Sequence, residues 1–357
     1  MMNFENTFLI ICAAASFFLG FGCFYILNKI RIAQSKTPFS AFVIILGTFA
    51  VFALGLSIAF RQNNDFINEY VFWELPALLT ASAVVFYVAS RFDTKYISLT
   101  VLSCAAILSL FMPQDISIFP QISPVFRILL IILLWFLFSF LYRFLNGIET
   151  VAGLHTMAVC AGIFFLSLAA ALPFLLGAAA LILATVMAAF LVFNWYPARL
   201  QLSEAGCTAL GFLLGGLVFR AVSEGAAPSV IIFNMFYIIE ISWALLQTLF
   251  LKDKYADIVA NTAYFQANVS GLSPENVTNN ILRLEIVMIV LGYFEAYSSN
   301  IYSIPVLSAI ITVWYLSKVK NWQDANQSFR EMNRNVIKEI KNNFEEIKDT
   351  INKDKES

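Results

Sequence analysis

Long apolar runs alternate with short polar segments over most of the chain. A helix needs about 20 mostly apolar residues to cross the hydrocarbon core of a bilayer, where its backbone amides must be hydrogen-bonded internally. The pattern therefore predicts an all-α polytopic membrane protein with about eleven transmembrane helices, of which the last two are short. The predicted spans are 8–27, 39–60, 71–90, 96–112, 125–142, 151–172, 174–194, 205–220, 230–251, 280–294 and 304–317.

The composition supports a membrane location and excludes several classes of protein. Hydrophobic residues make up 60% of the chain and charged residues 13%, with a mean hydropathy of +0.78, whereas soluble domains carry about 25% charged residues. The net charge of -1 excludes a nucleic-acid-binding protein, which would be basic. All five cysteines lie inside apolar runs, so they indicate neither a disulfide framework nor a zinc site.

Basic residues are concentrated in alternate loops, and this predicts the orientation of the chain. Cytoplasmic loops of membrane proteins carry the excess of Lys and Arg. One set of loops contains Lys29, Arg31, Lys36, Arg91, Lys95, Arg143, Arg199, Lys252, Lys254 and Arg283, and the other contains Arg61, Arg127 and Arg220. We therefore predict that the N-terminus lies outside and the C-terminus in the cytoplasm, with the longest loop, 252–279, on the cytoplasmic side.

The chain changes character after residue 317, which predicts a membrane domain, 1–317, and a cytoplasmic segment, 318–357. This segment is rich in Lys, Glu, Asp and Asn, and its apolar residues follow one face of a helix, at Ile337, Ile340, Phe344, Ile347 and Ile351. Because its positive and negative charges nearly balance, an amphipathic helix here favours a homodimer or pairing with a protein partner. The alternatives are a helix on the membrane surface and one that packs against the protein's own loops.

Three predicted cytoplasmic segments resemble motifs of one enzyme family. Residues 193–207 read FNWYPARLQLSEAGC and are followed by LGF at 210–212, and residues 144–153 read FLNGIETVAG. The third segment contains Glu240 and Gln247 in the ninth predicted span. In order and spacing, these segments resemble the polyprenyl-phosphate N-acetylhexosamine-1-phosphate transferases and the phospho-N-acetylmuramoyl-pentapeptide transferase of glycosyltransferase family 4.

The resemblance implies a fold, a reaction and a location. Members of the family transfer sugar-1-phosphate from a nucleotide-diphosphate sugar to polyprenyl phosphate, in the bacterial inner membrane, during synthesis of cell-envelope glycans. Mg²⁺ held by acidic side chains neutralises phosphate charge while the two anions approach one another. The implied cofactor is therefore Mg²⁺, and the implied partners are polyprenyl phosphate as the membrane lipid and a nucleotide sugar.

The same motifs imply which acids form the active site. The acidic positions of the family correspond to Asp93 after the third span, to Asn146 and Glu149 in the second motif, and to Glu204 in the signature. The resemblance implies that Asp93, Asn146 and Glu149 are the catalytic residues. It further implies that Glu204 and Asp93 bind the metal.

Basic residues on the same side of the membrane are candidates for binding substrate. Lys95 and Arg199 are suited to bind phosphate as charged hydrogen-bond donors, and the alternative is that these loop cations only set the topology. His155, the only histidine of the chain, lies one turn into the sixth span and is a candidate phosphate ligand or base. The alternative for His155 is a packed, hydrogen-bonded helix residue.

The sequence departs from the family pattern at the acids, which leaves the activity open. Phe92 stands where the family has a second aspartate, Asn146 has no charge, and residues 260–266 contain no histidine. A Glu in place of Asp displaces the carboxylate by about 1 Å, and such a misplacement can cost about 10²-fold in rate. We therefore expect either an altered transferase or a non-catalytic relative, a pseudoenzyme, that binds a lipid-linked intermediate or a partner enzyme. A third hypothesis is a transporter that uses Glu240, which could instead be hydrogen-bonded to a neighbour such as Ser242.

Overall fold

The computed structural model describes residues 4–33, 41–61, 69–110, 123–251, 258–298 and 302–321. Within these residues the regular structure is helical, without a strand. The helices are α1 (Phe4–Ala33), α2 (Ala41–Arg61), α3 (Glu69–Arg91), α4 (Thr94–Ser109), α5 (Pro124–Tyr142), α6 (Val151–Leu168), α7 (Phe174–Asn194), α8 (Glu204–Ala221), α9 (Ala227–Phe233), α10 (Met235–Leu251), α11 (Ala263–Val269), α12 (Pro274–Glu295) and α13 (Ser303–Lys320). The predicted amphipathic helix of the C-terminal segment lies outside the described residues.

Several helices are long and apolar enough to cross a membrane, which confirms the predicted fold class of an all-α membrane protein. In the described part of the chain, six helices meet this condition by length and composition: Thr7–Ile30, Val125–Gly147, Val151–Leu168, Phe174–Asn194, Glu204–Phe233 and Pro274–Glu295. Each predicted span overlaps one helix, except the ninth, which overlaps α9 and α10. Three of the spans overlap shorter apolar helices, Ala41–Leu56, Thr94–Ser109 and Met235–Phe250. The count of about eleven crossings stays a prediction.

Helices α7 and α8 form the centre of the bundle. In the most apolar stretches of Phe174–Asn194 and Glu204–Phe233, 78% and 83% of the residues are buried inside the protein, compared with 22% in Val125–Gly147. Helix α8 packs against α3 and α5, while α7 packs against α1 and α6. The peripheral helices are therefore the ones that present apolar side chains to the outside of the bundle.

Glycines of α8 allow the neighbouring helices to approach closely. A Cβ atom at Gly215 would lie 2.8 Å from the Trp135 ring of α5, and one at Gly216 would overlap Leu78 of α3. The Trp135 indole N–H donates to the carbonyl oxygen of Phe212 at 3.1 Å, so the close contact also satisfies a buried polar group. Small residues serve this purpose widely at helix interfaces in membranes.

The end of α8 is held by ion pairs. The side chain of Arg220, which is 6% exposed, lies 3.1 Å from Glu74 Oε2 on α3 and 2.7 Å from Glu224 Oε1 one turn later. Glu224 belongs to a wide π-helical turn, Val222–Ala226, in which Gly225 adopts a φ of 94°. A side chain at Gly225 would be strained in this left-handed conformation, so glycine lets the chain pass directly from α8 into α9.

The predicted ninth span, 230–251, is divided between two helices in the structure. Helix α9 begins earlier, at Ala227, and ends at Phe233, before α10 begins at Met235. Asn234 lies between them, and its side-chain amide donates to the carbonyl oxygen of Val230 at 2.8 Å. Because Asn side chains compete for backbone groups in this way, the helix is interrupted where the hydropathy pattern gave no warning.

Candidate functional site

The two motif segments with the strongest family resemblance lie at the same end of the bundle. Helix α5 runs antiparallel to α8, because Trp135 lies against Gly215, whereas Ser139, one turn later in α5, donates its hydroxyl to the carbonyl oxygen of Thr208 at 3.1 Å. The end of α7 lies beside the beginning of α6, where the Thr150 hydroxyl donates to the carbonyl oxygen of Asn194 at 3.0 Å. We call this end the loop face, defined by residues 92–95, 143–150, 195–204 and 258–273.

Residues 92–95 reach the loop face because α3 also runs antiparallel to α8. Phe42, at the beginning of α2, packs its ring 5.0 Å from that of Phe86 near the end of α3. A Cβ atom at Gly206, in the first turn of α8, would lie 3.3 Å from the Cβ of Phe42. Since Glu74 and Arg220 meet at the opposite end, the turn between α3 and α4 lies at the end where α8 begins.

The second motif forms a tight turn after α5. Residues Arg143–Gly147 form a 3-10 helix in which Asn146 departs from helical geometry, with φ -78° and ψ 16°. A Cβ at Gly147 would lie 2.6 Å from Val259 and 3.1 Å from the Tyr264 ring, so a larger residue would push the turn away from its support. Asn146 in this turn and Glu149, two residues after it, are both half-buried. We call residues 143–150 together the 143–150 turn.

The signature loop between α7 and α8 is closed by its own backbone. The carbonyl oxygen of Phe193 accepts the N–H groups of Arg199 and Leu200 at 2.8 and 3.1 Å. The amide of Asn194, which is fully buried, donates to the carbonyl oxygen of Leu200 at 2.7 Å. The buried Leu200 anchors the loop, and the side chain of Arg199 is thereby left exposed at the loop face.

Glu204 stands at the first position of α8. The Ser203 hydroxyl accepts the N–H of Gly206 at 3.1 Å and so caps the helix. Negative charge is favoured in the first turn of a helix, where unpaired N–H groups point outward. Glu204 is exposed at the loop face, and it is therefore placed where its carboxylate can meet a ligand.

A side-chain hydrogen bond joins the two motifs. The amide of Gln201 in the signature loop donates to Glu149 Oε1 of the second motif. Together with the bond between Thr150 and Asn194, this contact ties the segment of Glu149 to the loop that carries Arg199 and Glu204. The structure thus brings together two of the three segments on which the resemblance depends.

Asp93 and Lys95 lie on a separate part of the loop face. Asp93 is the exposed N-cap residue of α4, without a side-chain capping bond, and Lys95 is exposed in the first turn. Within the described ranges, no hydrogen bond or ion pair connects either side chain to Glu149 or Glu204. Among all the residues that the structure describes, no group of three or more His, Cys, Asp or Glu side chains could hold a metal ion. Asp93, Glu149 and Glu204 therefore do not form such a group.

A comparison with protein families assigns the chain. The model of glycosyl transferase family 4 matches residues 41–222, which is just over half of the chain. The chain belongs to glycosyl transferase family 4. The match confirms the resemblance read from the sequence, and in this family 4 protein it covers both joined motifs, Asp93 and the whole of α8. No curated protein matches the chain.

His155 of the family 4 protein lies inside the bundle. Its ring is fully buried in α6, and Nδ1 lies 2.7 Å from Glu285 Oε1 of α12, which is 1% exposed. The rings of Tyr142, Phe236 and Tyr237 surround it at centroid distances of 5.7 to 6.0 Å. Glu285 is not among the predicted site residues, although an ionisable residue in an apolar span is itself a signal for a buried partner.

Glu240 of α10 does not bond the neighbour that the sequence suggested. Ser242 is exposed, whereas Glu240 is fully buried and its Oε1 accepts the backbone N–H of Tyr264 at 3.2 Å. Tyr264 lies in the segment where the family has histidine, and it is not among the predicted site residues either. Its hydroxyl donates to the carbonyl oxygen of Phe144 in the second motif at 2.8 Å. Burial raises the pKa of Tyr264, so this hydroxyl keeps its proton and remains a donor.

Proposed function

We propose that this family 4 protein acts on, or binds, polyprenyl phosphate and a nucleotide-diphosphate sugar in cell-envelope glycan synthesis. The observation that carries the proposal is the junction of the two motifs through Glu149 and Gln201, because it places Arg199 and Glu204 on the same face as the Arg143–Gly147 turn. A cation and two carboxylates around one set of loops suit the transfer of a phosphate-bearing group, in which negative charge must be neutralised.

The exposed basic residues have a defined role in this proposal. Arg199 would bind the phosphates of the nucleotide sugar, since a guanidinium matches phosphate oxygens with two parallel hydrogen bonds. Lys95, at the beginning of α4, would bind the phosphate of the lipid from the neighbouring turn. His155 is fully buried and paired with Glu285, which supports a structural role over contact with a phosphate.

Mg²⁺ fits the residues only as an ion shared with substrate. Mg²⁺ prefers oxygen ligands, keeps several waters and is commonly bound by one or two carboxylates together with substrate phosphates. Glu204 and Asp93 are exposed carboxylates of this kind, while Asn146 and Glu149 can contribute oxygens from the adjacent turn. Bound in this way, the ion would supply charge neutralisation on the phosphate groups.

A non-catalytic relative is the second candidate, and the dispersed acids favour it. Asn146 offers a neutral carbonyl oxygen where the family has a carboxylate, and one oxygen of Glu149 is already engaged by Gln201. Such a protein would retain the lipid site and present it to a partner enzyme. In either case, we propose a multi-pass protein of the bacterial inner membrane with about eleven crossings, an outside N-terminus and a cytoplasmic segment, 318–357, that pairs with a second copy or a partner.

Transfer of radiolabelled sugar phosphate to polyprenyl phosphate, in membranes that contain the full chain, tests the proposal. We expect Mg²⁺-dependent transfer that falls at least 10²-fold in Glu204→Gln. The matched control is Glu275→Gln, which neutralises an exposed glutamate in the first turn of α12 outside the motifs. Polyprenyl phosphate binding without transfer would identify the non-catalytic relative. Absence of both binding and transfer, across a panel of nucleotide sugars, would refute the proposal.

A further inference from the structure

Glu240 caps a helix that it does not belong to. The first N–H groups of α11 have no partner within the helix, and the N-cap residue Thr262 provides no side-chain capping bond. The carboxylate of Glu240, from α10, instead accepts the N–H of Tyr264 in this first turn at 3.2 Å. Because Glu240 is fully buried, its Oε1 atom bonds within the protein and is not accessible to a ligand in solution.

Tyr264 extends this contact to the second motif. Its side chain is fully buried, and its hydroxyl donates to the carbonyl oxygen of Phe144, the second residue of the Arg143–Gly147 turn. The ring also lies against Gly147 at the other end of the same turn, where Val259 completes the contact. The turn is therefore supported at both ends by residues that follow α10.

A second link holds the supporting segment to α10. The side-chain amide of Asn261 donates to the hydroxyl of Thr248 at 3.0 Å, two turns beyond Glu240. The segment 258–269 is thus fixed to α10 at two points and to the turn at two points. Such a set of contacts transmits the position of α10 to the turn that carries Asn146.

We propose that Glu240 and Tyr264 are positioning residues, which set the shape of the 143–150 turn and thereby the place of Asn146 and Glu149. Neither side chain reaches the surface, so both act through the turn and not on a substrate. The effect of these residues on transfer rests on the proposed function. Their effect on the shape of the turn does not depend on it.

The chemistry of the contact distinguishes this role from proton transport. A positioning role needs only an oxygen that accepts an N–H, and a glutamine supplies one with nearly the same shape. A transport role needs a group that gains and loses a proton, which glutamine cannot do. Glu240→Gln and Glu240→Leu therefore separate the two roles.

Hydrogen exchange of the full chain in detergent micelles tests the proposal through peptides that cover 143–150. We expect Tyr264→Phe and Glu240→Leu each to increase exchange there about fivefold, the factor that corresponds to one hydrogen bond of ordinary net strength. Glu240→Gln should leave exchange as in the unsubstituted protein. The control is Ser242→Ala, which changes an exposed residue of the same helix and should have no effect.

Two results would overturn the proposal. Unchanged exchange at 143–150 in Tyr264→Phe would show that the turn does not depend on the hydroxyl, whatever the folding of Glu240→Leu. An effect of Glu240→Gln as large as that of Glu240→Leu would show that the charge, and not the hydrogen bond, matters. If the unsubstituted chain neither transfers nor binds while the exchange results hold, the proposed function fails and the positioning role stands.

Discussion

Removal of one member of the His155–Glu285 pair should destabilise the protein more than removal of both. His155 Nδ1 lies 2.7 Å from Glu285 Oε1, and the two side chains are 0% and 1% exposed. Removal of one partner from a buried pair typically costs about 3–5 kcal/mol, whereas replacement of both by apolar residues is often neutral. We therefore expect His155→Leu and Glu285→Leu each to lower the free energy of unfolding by about 3 kcal/mol, and the double variant to lower it by less than either.

The unpaired atoms of the same two side chains strengthen this expectation. Among the described residues, His155 Nε2 and Glu285 Oε2 are buried without a hydrogen-bond partner. A buried polar atom without a partner costs about 1–3 kcal/mol. The double variant removes both atoms together with the pair, while each single variant leaves one polar side chain behind in an apolar site.

Unfolding by SDS in mixed micelles, followed by circular dichroism, measures these differences. The control is Glu275→Gln, an exposed substitution on the same helix as Glu285, which should change the free energy of unfolding by less than about 0.5 kcal/mol. If the double variant loses as much stability as the two single variants added together, the side chains are not coupled. The buried pair would then not explain how α6 and α12 are held together.

Three further substitutions test the cap of α8, the signature loop and the packing of α8 against α5. Ser203→Ala removes the cap of α8 and should cost about 1 kcal/mol in the same SDS titration. Asn194→Ala leaves the carbonyl oxygen of Leu200 without its amide donor and should cost about 1–3 kcal/mol, with a larger loss of nucleotide-sugar binding than Ser203→Ala. Gly215→Leu cannot pack against Trp135 and should reduce the monodisperse fraction in size-exclusion chromatography, whereas an unchanged profile would contradict the packing argument.

The hydropathy pattern was sufficient to locate the helices, because a span across lipid must be apolar along its whole length. The predicted span 174–194 coincides with α7, and Val125–Gly147 extends the predicted span 125–142 by the 3-10 turn. The break at Asn234 could not be predicted in the same way. A single amide that bonds a backbone carbonyl accompanies the end of α9 without changing the hydropathy of the segment.

The motifs predicted part of the candidate site. Their family resemblance assigned Glu149 and Glu204 to one active site, and the bond between Glu149 and Gln201 joins the two segments that carry these acids. Their catalytic and metal-binding roles remain predictions. The roles of Asp93 and Lys95 remain predictions. The partners of His155 and Glu240 lie 130 and 24 residues away along the chain, and pairings at such separations are set by helix packing that one sequence does not reveal.

Helix α8 is held by a neighbouring helix at each of its two ends. At the end that presents Glu204, Gly206 lies against Phe42 of α2, and at the other end Arg220 pairs with Glu74 of α3. A displacement of α8 by one residue along its axis is about 1.5 Å, which is enough to break the 3.1 Å contact between Arg220 and Glu74. The position of the signature loop along the axis of α8 therefore depends on an ion pair at the far end of the helix bundle.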